Sequence, residues 1–295
     1  VVFFSSINIL TMAIIRTIIL VVILPILALG QTSREEDKLS IYEIVQPDGF
    51  FGTGFMIEDS LMGQMLITCR HIIQDENGDF FDKIFVRRNK LLKTKQVVSD
   101  TVGFYVHLKD KENGETRNLF YSHPDPNIDL AIIPVIHPDQ PLKNRKPTYG
   151  FDSRLVLSRM GLDSMGVEEG TDVEIIGFSL TSSLYIDRIN YHFSRFGKIG
   201  LFTSDDLELT IDKQPRKANF MLLSMSVKIG DSGSPIIAHI GGRRYIIGIV
   251  TAVVPDIAYG VGYPSYYIYD LLEQIRADYI EKLGLANKSK QVKSL

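Results

Sequence analysis

The sequence predicts an all-β body that ends in a single helix, and three observations carry this. From Ile41 onward, short runs rich in Val, Ile, Phe and Tyr alternate with turn signals such as Pro47-Asp48-Gly49 and Gly241-Gly242, the pattern of a sandwich or of barrels. Helical spacing of apolar residues appears convincingly only near the end, at Ile268, Leu271, Leu272, Ile275, Tyr279 and Ile280. The long uninterrupted apolar stretch is confined to the first thirty residues. With 45% hydrophobic and 23% charged residues, the chain has the balance of a folded domain. A disordered, collagen-like, coiled-coil or multi-span membrane protein is excluded.

Residues 17–29 (TIILVVILPILAL) carry no charge, follow Arg16 and end before Gly30-Gln31. The run is shorter than the roughly 20 apolar residues that span a bilayer and has the length of a signal-peptide core. Residues 1–30 therefore read as upstream sequence and a signal peptide, with Met12 as the start; the alternative is an uncleaved anchor. No Cys follows the run, so no lipid anchor is expected, and no stable membrane anchor should remain after cleavage. The expected location is periplasmic or extracellular. The lone Cys69 allows no internal disulfide, so the fold must rest on its hydrophobic core.

The polar stretch 31–40 (QTSREEDKLS) reads as a loose lead-in. Strand candidates follow at 41–45, 54–57, 65–69, 83–88, 103–108, 118–121 and 130–135. A second set lies at 172–178, 191–202, 207–211, 219–227, 235–240 and 244–254. Asn113-Gly114 reads as a hairpin tip. The helix is expected to begin after Pro264 and to end at Gly284, leaving 286–295 (ANKSKQVKSL) as a polar, basic, mobile tail. The formal net charge of −3 gives no basic excess for nucleic acid.

Three motifs carry chemistry. Leu66-Ile67-Thr68-Cys69-Arg70-His71 follows Gly52-Thr53-Gly54-Phe55; then come Asn127-Ile128-Asp129-Leu130-Ala131 and Gly230-Asp231-Ser232-Gly233-Ser234-Pro235. Taken singly, His71 is an ordinary histidine, Asp129 a turn residue, and the Gly-Asp-Ser-Gly tetrapeptide a loop. Together, in the order His, Asp, Ser on a strand-rich chain, they point to nucleophilic hydrolysis. A serine hydroxyl needs a base within hydrogen-bond reach, and histidine both takes the proton and returns it near neutral pH.

In these motifs the chain resembles the trypsin/chymotrypsin-fold serine peptidases, and most closely the bacterial group that includes the HtrA proteases, over about 41–275. The resemblance implies two six-stranded antiparallel β-barrels with a C-terminal helix. The expected boundaries are 41–150 and 165–263 for the barrels, 151–164 for a linker and 264–285 for the helix. It implies His71 as base, Asp129 as the carboxylate that orients it, Ser232 as nucleophile, and the Gly230 and Ser232 amides as oxyanion hole. It places Ser226 at the floor of the primary pocket, and Thr251, Ala252 and Val253 along the substrate. Without an acid on that floor and with Val253 as a branched wall, small aliphatic side chains such as Ala or Val are the expected preference. Polypeptides are the implied substrates; neither cofactor nor metal is called for, and oligomeric state is not legible.

Two departures matter. No Ile-Val-Gly-Gly start lies between Gln31 and Ile41 to pair with Asp231 after cleavage, so no cleavage-activated precursor is expected. Too little chain follows the barrel and helix for a PDZ domain. Two other functions compete. A catalytically quiet relative would bind peptides by strand addition. An α/β-hydrolase esterase would use Gly-x-Ser-x-Gly in the order Ser, Asp, His, which is not the order here. His107, His123, His137, His192 and His239 lack metal-ligand spacing and read as structural or solvated. Cys69 reads as a buried small hydrophobe rather than a reactive thiol. The basic stretch 83–95 reads as a solvated strand edge rather than an exosite.

Overall fold

The computed structural model describes residues 35–292, apart from 36, 113–114, 137–148, 179–189, 212–213 and 255–258. The proposed signal peptide, the hairpin tip at 113–114 and His137 lie outside the described residues. Among those described, no helix is long and apolar enough to cross a membrane.

The N-terminal half holds β1 (Ile41–Val45), β2 (Phe51–Asp59), β3 (Gly63–Thr68), β4 (Lys83–Leu91), β5 (Val97–His107), the hairpin β6 (Lys109–Glu112) and β7 (Glu115–Asn118), β8 (Tyr121–Ser122), β9 (Ala131–Ile136) and β10 (Phe151–Asp152). The C-terminal half holds helix α1 (Arg159–Ser164), β11 (Asp172–Gly177), β12 (Asn190–Tyr191), β13 (Phe193–Phe202), the hairpin β14 (Leu207–Ile211) and β15 (Gln214–Ala218), β16 (Met221–Leu223), β17 (Pro235–Ile240), β18 (Arg243–Val254), β19 (Tyr259–Pro264) and helix α2 (Ser265–Val292). The all-β expectation holds.

The C-terminal strands close into a six-stranded barrel in the order β11-β13-β16-β19-β18-β17, all pairs antiparallel. Val173, Ile175, Ile199, Leu223, Ile236 and Val250 pack in one buried cluster of this half. The N-terminal half differs from the six-stranded barrel expected. It is one nine-stranded sheet running β12-β5-β4-β1-β2-β3-β9-β8, with β10 added to β2 in parallel. The extra members are two-residue strands, too short to carry an alternation. One of them, β12, comes from the C-terminal half and covers the edge of β5 through Asn190↔Ser99 and Tyr191↔Val98. A second buried cluster joins the halves: Ile44, Phe55, Leu66 and Ile132 are continuous with Phe178, Ile249, Tyr263 and Ile268.

Four boundaries shift. Residues 37–40 are not a loose lead-in: Asp37, Leu39 and Ser40 are buried, Asp37 is paired with Arg244, and the Met56 amide donates to the Ser40 carbonyl at 2.8 Å. The linker 151–164 is ordered. Ser158 caps α1 by accepting from the Gly161 amide, and Leu157 N–H donates to the Ile246 carbonyl at 3.2 Å. Helix α2 passes through Gly284 to Val292. An interior glycine costs a helix only about 1 kcal/mol, and Leu285, Ala286, Lys288 and Gln291 beyond it are good helix formers, so 286–292 is helix rather than tail. Antiparallel pairing of Glu112 with Glu115 brackets the expected hairpin tip, although its strands lie just after 103–108 rather than including it.

Candidate active site

His71 and Asp129 are brought together by one strand pair. β3 and β9 run antiparallel with Thr68 opposite Ala131. The residues just beyond these ends are a 3-10 turn, Arg70–Ile73, and Asp129. His71 Nδ1 lies 2.5 Å from Asp129 Oδ2, and the His71 amide donates to Oδ1 at 3.0 Å. Asp129 is 1% exposed. Burial alone would raise its pKa. The charge of the His71 ring, the hydrogen bonds from that ring and from the His71 amide, and the charge of Arg216 outweigh burial and hold it far below the usual range.

Thr251 connects this pair to Ser232. It sits where the β18–β19 register slips between Val250 and Ala252, a local irregularity that re-aims a side chain. Its hydroxyl donates to Asp129 Oδ2 at 3.1 Å, while its carbonyl accepts from Ser232 Oγ at 3.0 Å.

Ser232 stands on the turn between β16 and β17, outside any ladder. Gly230 has φ +96° and Gly233 φ +88°, a region that a side chain disfavours. At Gly233 a Cβ would also lie 1.8 Å from the Thr53 carbonyl oxygen. The turn is tied to both halves. Gly233 N–H donates to Val250 O at 2.8 Å and Thr53 N–H to Ser232 O at 2.9 Å; Thr53 Oγ1 donates to Gly230 O at 2.7 Å. Among the described residues, the amides of Gly230 and Ser232 donate to no protein acceptor, leaving two N–H donors beside the hydroxyl.

Asp231 is fully buried. Its Oδ2 accepts from the Lys228 amide at 2.7 Å, and its Oδ1 from Arg195 Nη1 at 2.8 Å. Arg195, Thr53 and Arg216 stand outside the set of site residues that the sequence predicts. The glycines flanking Thr53 were the only local signal; the two arginines left none.

His71, Gly230, Ser232, Thr251, Ala252 and Val253 all line one cleft of about 590 Å³, walled further by Phe50, Phe51, Ile72, Val227 and Ile229. Ser226 does not line it. Met225 and Val227 are buried while Ser226 between them is exposed. Val227 lines the cleft and packs against Gly260, where a Cβ would lie 2.4 Å from Val227 Cγ2.

Cys69 is buried, and its Sγ donates to the Val250 carbonyl at 3.2 Å; burial first, then the Asp129 charge, push the thiol pKa well up. Cys69, His71 and Asp129 offer ligand-type atoms within 4.8 Å of one another. A protonated thiol and a carboxylate already shared by His71 and Thr251 do not make a donor set for a metal ion. His239 pairs with Glu174 at 3.1 Å, and His192 is enclosed between two carbonyls, both structural placements. In the stretch 83–95, Arg87 and Lys90 face Glu43 and Asp100.

No protein-family model matches the chain, and no curated protein does. Among solved structures, the chain is similar to the active form of the Rv3671c protease from M. tuberculosis (17% identity, TM-score 0.49, covering 86% of this chain and 85% of that one). The inactive form of that protease matches at 18% identity and TM-score 0.47, covering 87% and 95%. An HtrA-type protease, AlgW, with a decapeptide, matches at 15% identity and TM-score 0.48, covering 85% and 67%. At such identities a likeness concerns the course of the chain, and the chemistry must come from the side chains described above.

Proposed function

We propose that the chain is an exported serine endopeptidase, on the single observation that the buried Asp129 is connected to His71, Thr251 and Ser232, which line a cleft beside two unengaged amides. In this reading Ser232 Oγ attacks the scissile carbonyl, and His71 Nε2 takes the hydroxyl proton and passes it to the departing amine. Asp129 holds the ring through Nδ1 and steadies its cation. The Gly230 and Ser232 amides receive the negative oxygen; one such donor is worth about 10²–10³ in turnover. Water then hydrolyses the acyl-serine ester, with His71 as base. Val227 and Val253 narrow the cleft, which favours small aliphatic side chains before the scissile bond. The apolar segment 17–29 is the ground for export, to periplasm or medium.

One observation favours a second reading, a catalytically quiet peptide-binding protein: the Ser232 hydroxyl gives its proton to the Thr251 carbonyl. Reaching His71 takes a rotation of that hydroxyl, a rearrangement that substrate commonly completes in this chemistry. A fluorophosphonate probe with adduct mapping separates the two. Labelling at Ser232 supports the peptidase; a folded protein that stays unlabelled yet binds peptides supports the quiet relative. Preferred cleavage after Arg or Phe in a peptide library would overturn the small-aliphatic preference.

A further inference from the structure

Helix α2 carries an apolar stripe that outlasts the surface it packs on. Ile268, Leu271, Leu272 and Ile275 are buried in the cluster that joins the halves. Tyr279 and Leu283 continue the face of Ile275 at a spacing of four residues, which stacks side chains along one side of a helix. Burial falls along this row: Ile275 is 3% exposed, Tyr279 is half-buried and Leu283 is 38% exposed. Between this face and the N-terminal sheet lies a groove of about 830 Å³, within the roughly 300–1,000 Å³ of small-molecule sites.

The groove is sorted by depth. Met62, Met65, Val106 and Phe120 are buried and form its floor with Ile275. His107, Arg117 and Lys282 line it from exposed positions. Among the described residues that line it, both formal charges, Arg117 and Lys282, are positive, in a chain whose net charge is −3. An apolar floor below a cationic rim is complementary to a hydrocarbon chain that ends in an anion. The two methionines suit an unbranched chain, since a flexible thioether conforms to its partner. The guanidinium and ammonium groups suit a carboxylate.

We propose that this groove is a binding site for a free long-chain monocarboxylate, its alkyl chain laid on Met62, Met65, Phe120 and Ile275 and its carboxylate held by Arg117 and Lys282. A concave slot of this size encloses one acyl chain, whereas a bilayer is met by an apolar face that protrudes into it. The site stands apart from the serine-hydrolase reading: among the described residues it shares none with the cleft around Ser232. Its wall nevertheless includes Met65 of β3 and Val135 of β9, the strand pair whose ends carry His71 and Asp129. A ligand held only by the folded chain stabilises it, so occupancy raises the melting temperature.

The test is calorimetric titration of the full chain with octanoate, decanoate and dodecanoate, each below its micelle-forming concentration. The expected result is one saturable site per chain, with affinity rising about fourfold per added methylene, the ratio that corresponds to about 0.8 kcal/mol per buried CH₂. The doubly reversed Arg117→Glu/Lys282→Glu should weaken decanoate about tenfold, since an exposed ion pair is worth up to about fivefold and two are lost. It should leave the uncharged decan-1-ol within about twofold. Leu283→Glu should weaken acid and alcohol alike. All three positions are exposed, and circular dichroism checks that each variant folds. Failure of the folded chain to bind any of the three acids overturns the proposal, as does a decanoate affinity that both variants leave unaltered. Binding to vesicles of anionic phosphatidylglycerol without binding of the free acids overturns it too, and marks the face as a membrane contact. No step of the test reads Ser232, so failure of the serine-hydrolase reading leaves this proposal standing.

Discussion

The two halves hold their share of the cleft by different means. In the N-terminal sheet, His71 and Asp129 hang on the ends of one antiparallel pair, β3 and β9, and the distance between them follows from the Thr68↔Ala131 register. In the C-terminal half, Ser232 belongs to no ladder. Two glycines in the left-handed region, a buried Asp231 and hydrogen bonds from Thr53 hold it. Regular pairing places a side chain through backbone bonds that any sequence can form; a turn has to be tied down by particular side chains. The proposed base is thus insulated from most surface substitutions, while the proposed nucleophile depends on single contacts, several of which reach across from the other half.

The largest test falls on the turn. Ser232→Ala should reduce ester hydrolysis by about 10⁶ with an unchanged melting profile, followed with a chromogenic peptide ester; turnover near that of the unaltered chain would remove Ser232 from the chemistry. On the sheet side, Asp129→Asn should cost about 10⁴ in kcat, the effect known for an amide in place of the carboxylate of a Ser-His-Asp triad, as measured in the same assay. Gly233→Ala sharpens the contrast. The Cβ would meet the Thr53 carbonyl at 1.8 Å in a backbone with φ +88°, so the turn must move. A loss of about 1–3 kcal/mol in urea unfolding and about 10²-fold slower fluorophosphonate labelling are expected. Equal labelling would show that the turn is not the dependent side.

His192, between the halves, gives a pH test. Burial outweighs the two facing carbonyls and lowers its pKa from 6.5 to about 4. The unfolded imidazole takes up a proton as pH falls through 6.5, whereas the folded one does so only near 4. Protonation therefore favours the unfolded chain: the contribution is fully present above 6.5 and is lost between 6.5 and about 4. From pH 7 to 4.5 this amounts to about 2–3 kcal/mol, and His192→Gln should remove that part of the acid sensitivity in urea titrations at the two pH values. A wild-type and variant difference independent of pH would refute it. Smallest of all, Thr251→Val should lower kcat only about tenfold. It deletes one hydrogen bond to a charged group, worth about 1.5–3 kcal/mol, yet leaves the Thr251 carbonyl and the His71 bonds to Asp129 in place. A loss as large as that of Asp129→Asn would mean that Thr251, not the β3–β9 register, orients the pair.

How legible this was differs along the chain. His71, Asp129 and Ser232 stand in motifs whose residues are local, Gly230 shares the motif of Ser232, and Thr251, Ala252 and Val253 come from the resemblance those motifs carry; all but the buried Asp129 line one cleft. Ser226 is exposed and stands outside the cleft that its buried neighbour Val227 lines, a difference between adjacent side chains that the motif spacing does not reveal. Helix α2 outran its expected end since one glycine is a weak stop. β12 and β10 are two residues long, below the length at which periodicity is visible, so the nine-stranded sheet was beyond reach. Arg195, Arg216 and Thr53 act on the site from positions remote in the chain, and only Thr53 carries so much as a pair of flanking glycines to mark it.

The sequence alone determined the β character of the body, the terminal helix, and the candidate residues for the proposed chemistry and their order, since each depends on local patterning or on residue type. Tertiary structure alone decided which cation neutralises Asp231, which residue bridges Asp129 and Ser232 through its hydroxyl and its carbonyl, and how the N-terminal strands arrange at their edges. The physical reason is common to all three. A buried charge or an open strand edge must be satisfied by something, but which residue satisfies it depends on what the fold brings within 3 Å, and no local pattern records that.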